Sequence, residues 1–475
     1  MSIIRNGFQS ADLDAPVTAP TLNLDFANSQ ELDPRITFSR GSIGTFVNKN
    51  GLIETVAANT PRFDYDPISG ECRGLLIEEQ RTNLVANSTS SGFTNGLVGL
   101  STTTDGSLAP DGSNAIVYIP TTATFHATNT LCSFNLDTIG IATGATYDIT
   151  FSCWVKDYNN SDLGVYFVSQ AYLSGTPNTN FTYQLRLAKP KSASWVVSSI
   201  GTGWTRNYEK IVPYPNGWYR FIQSSRYTRQ SNQNSLGFTF QIWNNRNAQF
   251  YNGDGTSGIY IWGPQVESAV SPSQGVFETS YIPTSGSQVT RSPDLARLQD
   301  PYFSQFFNKY EGSVFVNYNI NNPVDSGTVY GSNRTQTLFY IGDRSDGTYQ
   351  GYGVNTNTST LYLHRLSGQA FGQTTNQGTG NVYTSGSPII NGRVCFSYDQ
   401  NKLKISCDKT RSVGSINRLG TNNQIQSITT QVFNEITIGW GNSSGAGNRY
   451  ITGTIKKLQF YPKSLNDAQM LYLVS

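Results

Sequence analysis

Acid–base chemistry is the first possibility raised by the residue types, and residues 22–84 are where it would start. Asp64 and Asp66 flank Tyr65 just before Pro67, and Glu79 follows Glu78 directly. A glycosidase needs only two carboxylates, roughly 5 to 9 Å apart. The aspartates before the proline read instead as turn residues that bond local backbone. Neighbouring residues of a strand point to opposite faces, so Glu78 and Glu79 do not converge on one bond. Arg35, Arg40, Arg62 and Arg81 are expected to bridge carboxylates within this segment or at a subunit contact. The only histidines, His126 and His364, lie in different parts of the chain, and there is no GxSxG elbow, P-loop or metal-binding His pair.

Cysteine chemistry is equally thin. Cys72, Cys132, Cys153, Cys395 and Cys407 are scattered, without CxxC or Cys/His spacing for zinc. Cys395 and Cys407 share a predicted hairpin in which Phe396 faces Ile405, Asp399 faces Lys402, and Gln400-Asn401 forms the turn. That register puts Cys407 on the apolar face and Cys395 on the other, which predicts reduced structural thiols.

The elements that would position any site are strands. The 475 residues include 45 Gly, 27 Tyr and 25 Phe but only 2 Met, with 13% charged residues, a mix that favours pleated strands and tight turns. The length points to two or three domains. A formal net charge of +2 without a basic cluster argues against nucleic acid as a partner. No apolar run approaches the roughly 18 residues of a membrane span, and the start of the chain lacks a secretory pattern. Synthesis in a cytoplasm without export by the usual machinery is the expectation.

Residues 1–21 read as an extended docking arm. Residues 22–84 read as a β-rich segment with strands at Ile36–Ser39 and Thr45–Val47 and a turn at Asn50-Gly51. Residues 85–297 carry six long strand candidates, fitting a two-sheet jelly roll. Residues 298–310 (LQDPYFSQFFNKY) form a linker with an aromatic turn, and 311–475 a second sandwich. Near the chain's end, Ser464 is the expected N-cap of a helix with Leu465, Ala468, Leu471 and Tyr472 at helical spacing. The predicted fold class is all-β: two jelly-roll β-sandwiches, a short β-rich N-terminal docking segment and a short C-terminal helix.

Three resemblances follow. The stretch from LNLDFANSQELDPRITFSRG to GLLIEEQRTNL, residues 22–84, and the phrase FETSYIPTSGSQVTRSPD, residues 277–294, resemble segments of tailed-bacteriophage virion structural proteins. YDITFSCWVKD, NGWYRF and IYIWGPQVE resemble a carbohydrate-binding-module-like sandwich. GSVFVNYNI, TLFYIGD, RVCFSYDQNKLKISCDK, Thr437-Ile438-Gly439, Gly453–Tyr461 and Leu465 to Leu473 resemble a concanavalin A-like or laminin-G-like sandwich.

These resemblances imply a non-enzymatic virion protein of the tail-fibre, receptor-binding type, anchored by its N-terminus and touching host surface glycans. The alternatives are a capsid decoration or structural tail protein without glycan binding, and a polysaccharide-degrading enzyme. The E-x-D-x-x-E type constellation of concanavalin-like hydrolases is missing from the strands. Implied partners are other virion proteins, further copies of the chain (a trimer favoured) and host cell-surface polysaccharide, with no nucleic acid and no membrane insertion.

If the middle sandwich binds sugar, Trp204 and Trp195 in KSASWVVSSIGTGWTRN and Tyr172 in SQAYLSGTPN are the candidate stacking platforms. Trp154, Trp218 and Trp262 sit in alternating strands and read as core. For the last sandwich the candidate glycan or metal loop is Asp343, Asp346, Asn442 and Asn448. Calcium needs six to eight oxygen ligands, so this loop offers a thin supply. No cofactor is expected, with Ca2+ the one ion it could take.

Overall fold

Alternation along the strands builds four large antiparallel sheets that pack as two sandwiches. The computed structural model describes residues 16, 18–89, 97–121, 131–159, 162–173, 182–196, 200–244, 251–268, 277–320, 336–343, 350–356, 360–366, 381–384, 391–400, 402–408, 413–417, 433–443 and 447–475. The arm expected over residues 1–21 lies almost wholly outside them.

In the first sandwich one sheet runs Trp204–Pro213, Tyr219–Thr228, Thr146–Tyr158, Gly258–Ser268, Arg81–Asn83, Val289–Arg291. The other runs Cys132–Asn135, Ser235–Trp243, Gly164–Tyr172, Thr182–Lys189, Ser194–Val196. Phe151, Phe167, Phe238 and Phe240 meet between them, each no more than 1% exposed.

The second sandwich is not confined to residues 311–475. One of its sheets runs Val413–Asn417, Lys402–Cys407, Asn391–Tyr398, Gly312–Ile320, Gly453–Tyr461, Cys72–Ile77, Phe63–Tyr65, and Leu22–Leu24 also pairs with Gly453–Tyr461. Its other sheet begins Ile36–Ser39, Leu295–Gln299, Glu435–Ile438, Gln336–Asp343. The opening segment is therefore part of this sandwich, with Leu22, Leu24, Phe26, Leu75 and Ile77 in its core. Phe303 and Phe306 of the expected linker belong to the same core. The first sandwich is an insertion: the chain leaves after Cys72–Ile77 and returns at Leu295–Gln299. Local pattern marks strands but not their partners, and here the partners lie far apart in the chain, Ile36 opposite Leu298 and Leu22 opposite Phe460.

The cysteine hairpin follows the predicted register, with Phe396 opposite Ile405 and Asp399 N–H donating to the Lys402 carbonyl. Cys407 lies in the main core while Cys395 packs under the C-terminal helix beside Tyr461 and Met470. All five cysteines are buried and none forms a disulfide. That helix starts later than expected, at Asp467–Val474, because Asn466 and Gln469 form a reciprocal capping box. It buries Met470 and Val474, while Ala468 and Tyr472 face solvent.

Candidate functional site

The arginines of the opening segment find carboxylates, chiefly at the two passages between the sandwiches. Glu78 and Asp294 occupy those passages and bond each other's backbone: Glu78 N–H donates to Asp294 Oδ2, and Asp294 N–H to the Glu78 carbonyl, both at 2.9 Å. Arg62 pairs with Asp294 at 2.5 Å and Glu78 at 2.9 Å; Arg40 holds Asp294 at 3.1 Å and Arg291 holds Glu78 at 2.8 Å. Ser280 adds its N–H and hydroxyl to Glu78, both at 2.7 Å. Burial alone would raise the Glu78 carboxyl, but Arg291 and Arg62 hold it down at about 2. Glu79 turns the other way, to Arg81. Arg35 pairs with Asp33 at the surface. The adjacent glutamates thus part to opposite faces, each held in an ion pair rather than in a catalytic dyad.

The tryptophan candidates are placed differently from one another. Trp154, Trp218 and Trp262 are core, at 1%, 2% and 1% exposure. Trp204 is also buried, at 5%, with its ring against Tyr227. Trp195 lies on the strand Ser194–Val196 and points inward, edge-to-face with Phe167 and Phe221. Trp204 presents no open ring for a sugar, and Trp195, half-buried, lays its ring against the core, because the stretch taken for loop forms strands whose inward positions these two rings fill. Tyr172 instead ends the strand Gly164–Tyr172 on its outer face, half-buried.

That outer face is the best-formed candidate surface. Val165, Phe167 and Ala171 point into the core, so Tyr166, Val168, Gln170 and Tyr172 point out. Opposite them lie Gln241, Thr239, Gly237 and Ser235, with Trp243 at the far end beside Tyr166. Tyr166, Val168 and Leu187 make an apolar floor flanked by Val196 and Trp243. Gln170, Tyr172, Thr239, Gln241 and Trp243 are half-buried above it. Trp243 Nε1–H donates to Gln241 Oε1 at 3.2 Å. A Cβ on Gly237 would lie 3.2 Å from Gln170 Nε2 and 3.3 Å from Tyr172 Cε1, so those side chains drape over a bare backbone patch. From Ser235, opposite Tyr172, to Trp243, opposite Gly164, the ladder spans about 27 Å at ~3.4 Å per residue. Trp243 was missed because its neighbours read as core; the period-2 parity of Phe238, Phe240 and Ile242 would have marked it as outward.

Asp343 and Asn442 fall on strand backbone in Gln336–Asp343 and Trp440–Ser443, and Asn448 in Gly447–Tyr450, where Asn442 pairs with Asn448. Their side chains, and Asp346 altogether, lie outside the described residues, as does His126. Among the described residues no group of three His, Cys, Asp or Glu could hold a metal ion.

No protein-family model matches the chain, and no curated protein matches it. Among solved structures it is similar to the Ruminococcus gnavus IT-sialidase CBM40 bound to α2,3-sialyllactose, 13% identical at TM-score 0.27 over 35% of this chain and 84% of that one. It is also similar to mouse laminin α1 chain domains LG4-5, 8% identical at TM-score 0.23 over 81% and 95%. A third is the CBM22-1–CBM22-2 tandem of Paenibacillus barcinonensis Xyn10C, 10% identical at TM-score 0.24 over 81% and 99%. These neighbours are carbohydrate-binding modules and laminin LG domains, of the β-sandwich class.

Proposed function

We propose that this chain is a non-enzymatic structural protein of a tailed-phage virion that contacts host surface glycan through the outer face of its first sandwich. The observation that carries the glycan reading is the half-buried row of Tyr172, Gln170, Thr239, Gln241 and Trp243 over an apolar floor. Aromatic faces suit the C–H faces of sugar rings, and amides and hydroxyls suit their hydroxyl groups. The length of the ladder favours a chain of sugars over a single residue. The phage assignment rests on the two sequence phrases, residues 22–84 and 277–294, whose charged residues meet in one buried cluster at the passages between sandwiches. A trimer, or another assembly presenting many copies, would turn weak single-site contacts into firm attachment.

The test is a glycan array probed with the full chain, wild type beside Trp243→Ala and Tyr172→Ala. Binding of host-type polysaccharide that falls about tenfold or more in either variant supports the reading. Silence of the wild type across such glycans overturns it in favour of the decoration role, and release of reducing sugar overturns it in favour of the enzyme.

A further inference from the structure

A second surface lies on the opposite side of the first sandwich, where the other sheet meets the opening segment. Here a cavity of about 80 Å3 is lined by Asp64, Arg73, Glu78, Lys210, Tyr214, Arg220, Glu278 and the ring of Trp154, among others. By volume it has room for several waters. Most of its charges are matched. Glu78 is held by Arg62 and Arg291, Glu278 by Lys210 at 2.7 Å and the Tyr208 hydroxyl at 2.7 Å, and Arg73 by Asp66 at 2.7 Å.

Arg220 is different. It is 6% exposed, yet Nη2 donates only to neutral acceptors, Ser152 Oγ and the Thr279 carbonyl, both at 3.0 Å. Its Nε is buried without a hydrogen-bond partner, and its guanidinium stacks 4.5 Å from the Trp154 ring. Among the described residues no carboxylate lies within ion-pair reach; Glu267 and Glu278 feel its charge from further off. A buried cation without a counter-charge is costly, and an aromatic face offsets only part of that. Arg220 sits on the strand Tyr219–Thr228, paired with Trp154 on Thr146–Tyr158 and Val212 on Trp204–Pro213, so its position is fixed by both neighbours.

We propose that this cavity is a carboxylate-binding subsite, in which Arg220, with Lys210 beside it, takes the carboxylate of an acidic sugar or of a small organic acid. Asp64 is the group that opposes an incoming anion. It faces the cavity from the strand Phe63–Tyr65, accepting the Val47 N–H at 2.8 Å, and burial pushes its carboxyl up to about 6. Protonated Asp64 no longer repels the ligand and can donate to it, so binding tightens as the pH falls through that value. Glu278 and Glu78 stay ionised over this range, since both are held below their usual value.

The experiment titrates the full chain with glucuronate, acetate and glucose at constant ionic strength, at pH 5.5 and 7.5, following tryptophan fluorescence and heat. Saturable binding of glucuronate, several-fold tighter at pH 5.5, with none for glucose, is expected. Acetate binding as tightly as glucuronate assigns the subsite to small organic acids; a clear preference for glucuronate assigns it to acidic sugars. Arg220→Gln should weaken binding at least tenfold. Asp64→Asn should abolish the pH difference while keeping the tighter affinity, and it stays informative should Arg220→Gln fail to fold. Tyr172→Ala and Trp243→Ala should leave this binding unchanged, which separates its fate from that of the outer face. No saturable carboxylate binding at tens of millimolar, or equal affinity in folded Arg220→Gln, overturns the proposal.

Discussion

At the scale of single residues, the fate of each charge depends on where its side chain ends. Arg62 ends between two carboxylates with none of its side chain exposed. Removing one partner of a buried pair leaves the others uncompensated, so Arg62→Met should cost about 3–5 kcal/mol, read by urea unfolding of the full chain. Arg35 and Arg73 keep about 30% of their side chains exposed in their pairs, and Arg35→Ala or Arg73→Ala should cost less than about 1 kcal/mol. Similar costs for Arg62→Met and the two surface variants would show that the cluster does not hold the passages. Glu78 adds a pH dependence. Its folded pKa, about 2, lies below the ordinary 4.5, so its contribution is complete above about 4.5 and is lost as the pH falls toward 2. Glu78→Gln should flatten the fall in unfolding midpoint between pH 5 and 3. For Asp64 the sign reverses: a folded pKa near 6 against 3.8 means stability declines as pH rises from about 4 to 6. Asp64→Asn should therefore stabilise the protein at pH 7.5 by on the order of 1 kcal/mol, as a higher melting temperature.

At the scale of elements, close backbone approach sets where the sandwiches can join. Gly74 has φ of 102°, and a Cβ there would lie 2.2 Å from the Ile455 carbonyl oxygen. Its strand, Cys72–Ile77, is the one from which the chain leaves the second sandwich, pairing Leu75 with Ile455 and Ile77 with Gly453. Gly74→Ala combines a strained φ with a backbone clash, and a loss of at least about 2 kcal/mol in urea unfolding is expected; a loss under about 0.5 would mean that the pairing shifts freely. Much at this scale was legible in advance. Ile36–Ser39 falls where the alternation puts it, and the Phe396–Ile405 register follows from matching two apolar faces across a short turn. Both depend on neighbours a few residues away. The candidate site was half legible: Tyr172 was singled out, while Trp195 and Trp204 came from a Ser/Gly-rich stretch whose composition resembles loop, although its strands pair with near neighbours, Trp195 with Ala188 and Trp204 with Tyr227. Arg220 carried no local signal, because what marks it is a missing counter-charge across two sheets.

At the scale of the whole molecule, the insertion decides what can fold alone. Residues 311–475 would lack Leu22–Leu24, Ile36–Ser39, Phe63–Tyr65, Cys72–Ile77 and Leu295–Gln299, which are edge or interior strands of both sheets of the second sandwich. Without them Gly453–Tyr461 loses its partner Cys72–Ile77, and Val316, Leu338, Ile438 and Leu458 lose part of their apolar cover. Such a fragment is expected to be loosely packed, binding hydrophobic dye and giving poor near-UV dichroism. The inserted sandwich is the converse case. Its two sheets draw every strand from residues 81–291, so a fragment of residues 79–293 keeps both complete, with Phe151, Phe167, Phe238 and Phe240 between them. It loses Glu78 opposite Arg291, yet should still unfold in one cooperative transition, at a lower midpoint than the full chain. A cooperative, dye-silent 311–475 fragment would show that the opening segment is an accessory rather than a wall of the second core. A molten 79–293 fragment would show that the charge cluster, and not the phenylalanine core, holds the first sandwich together.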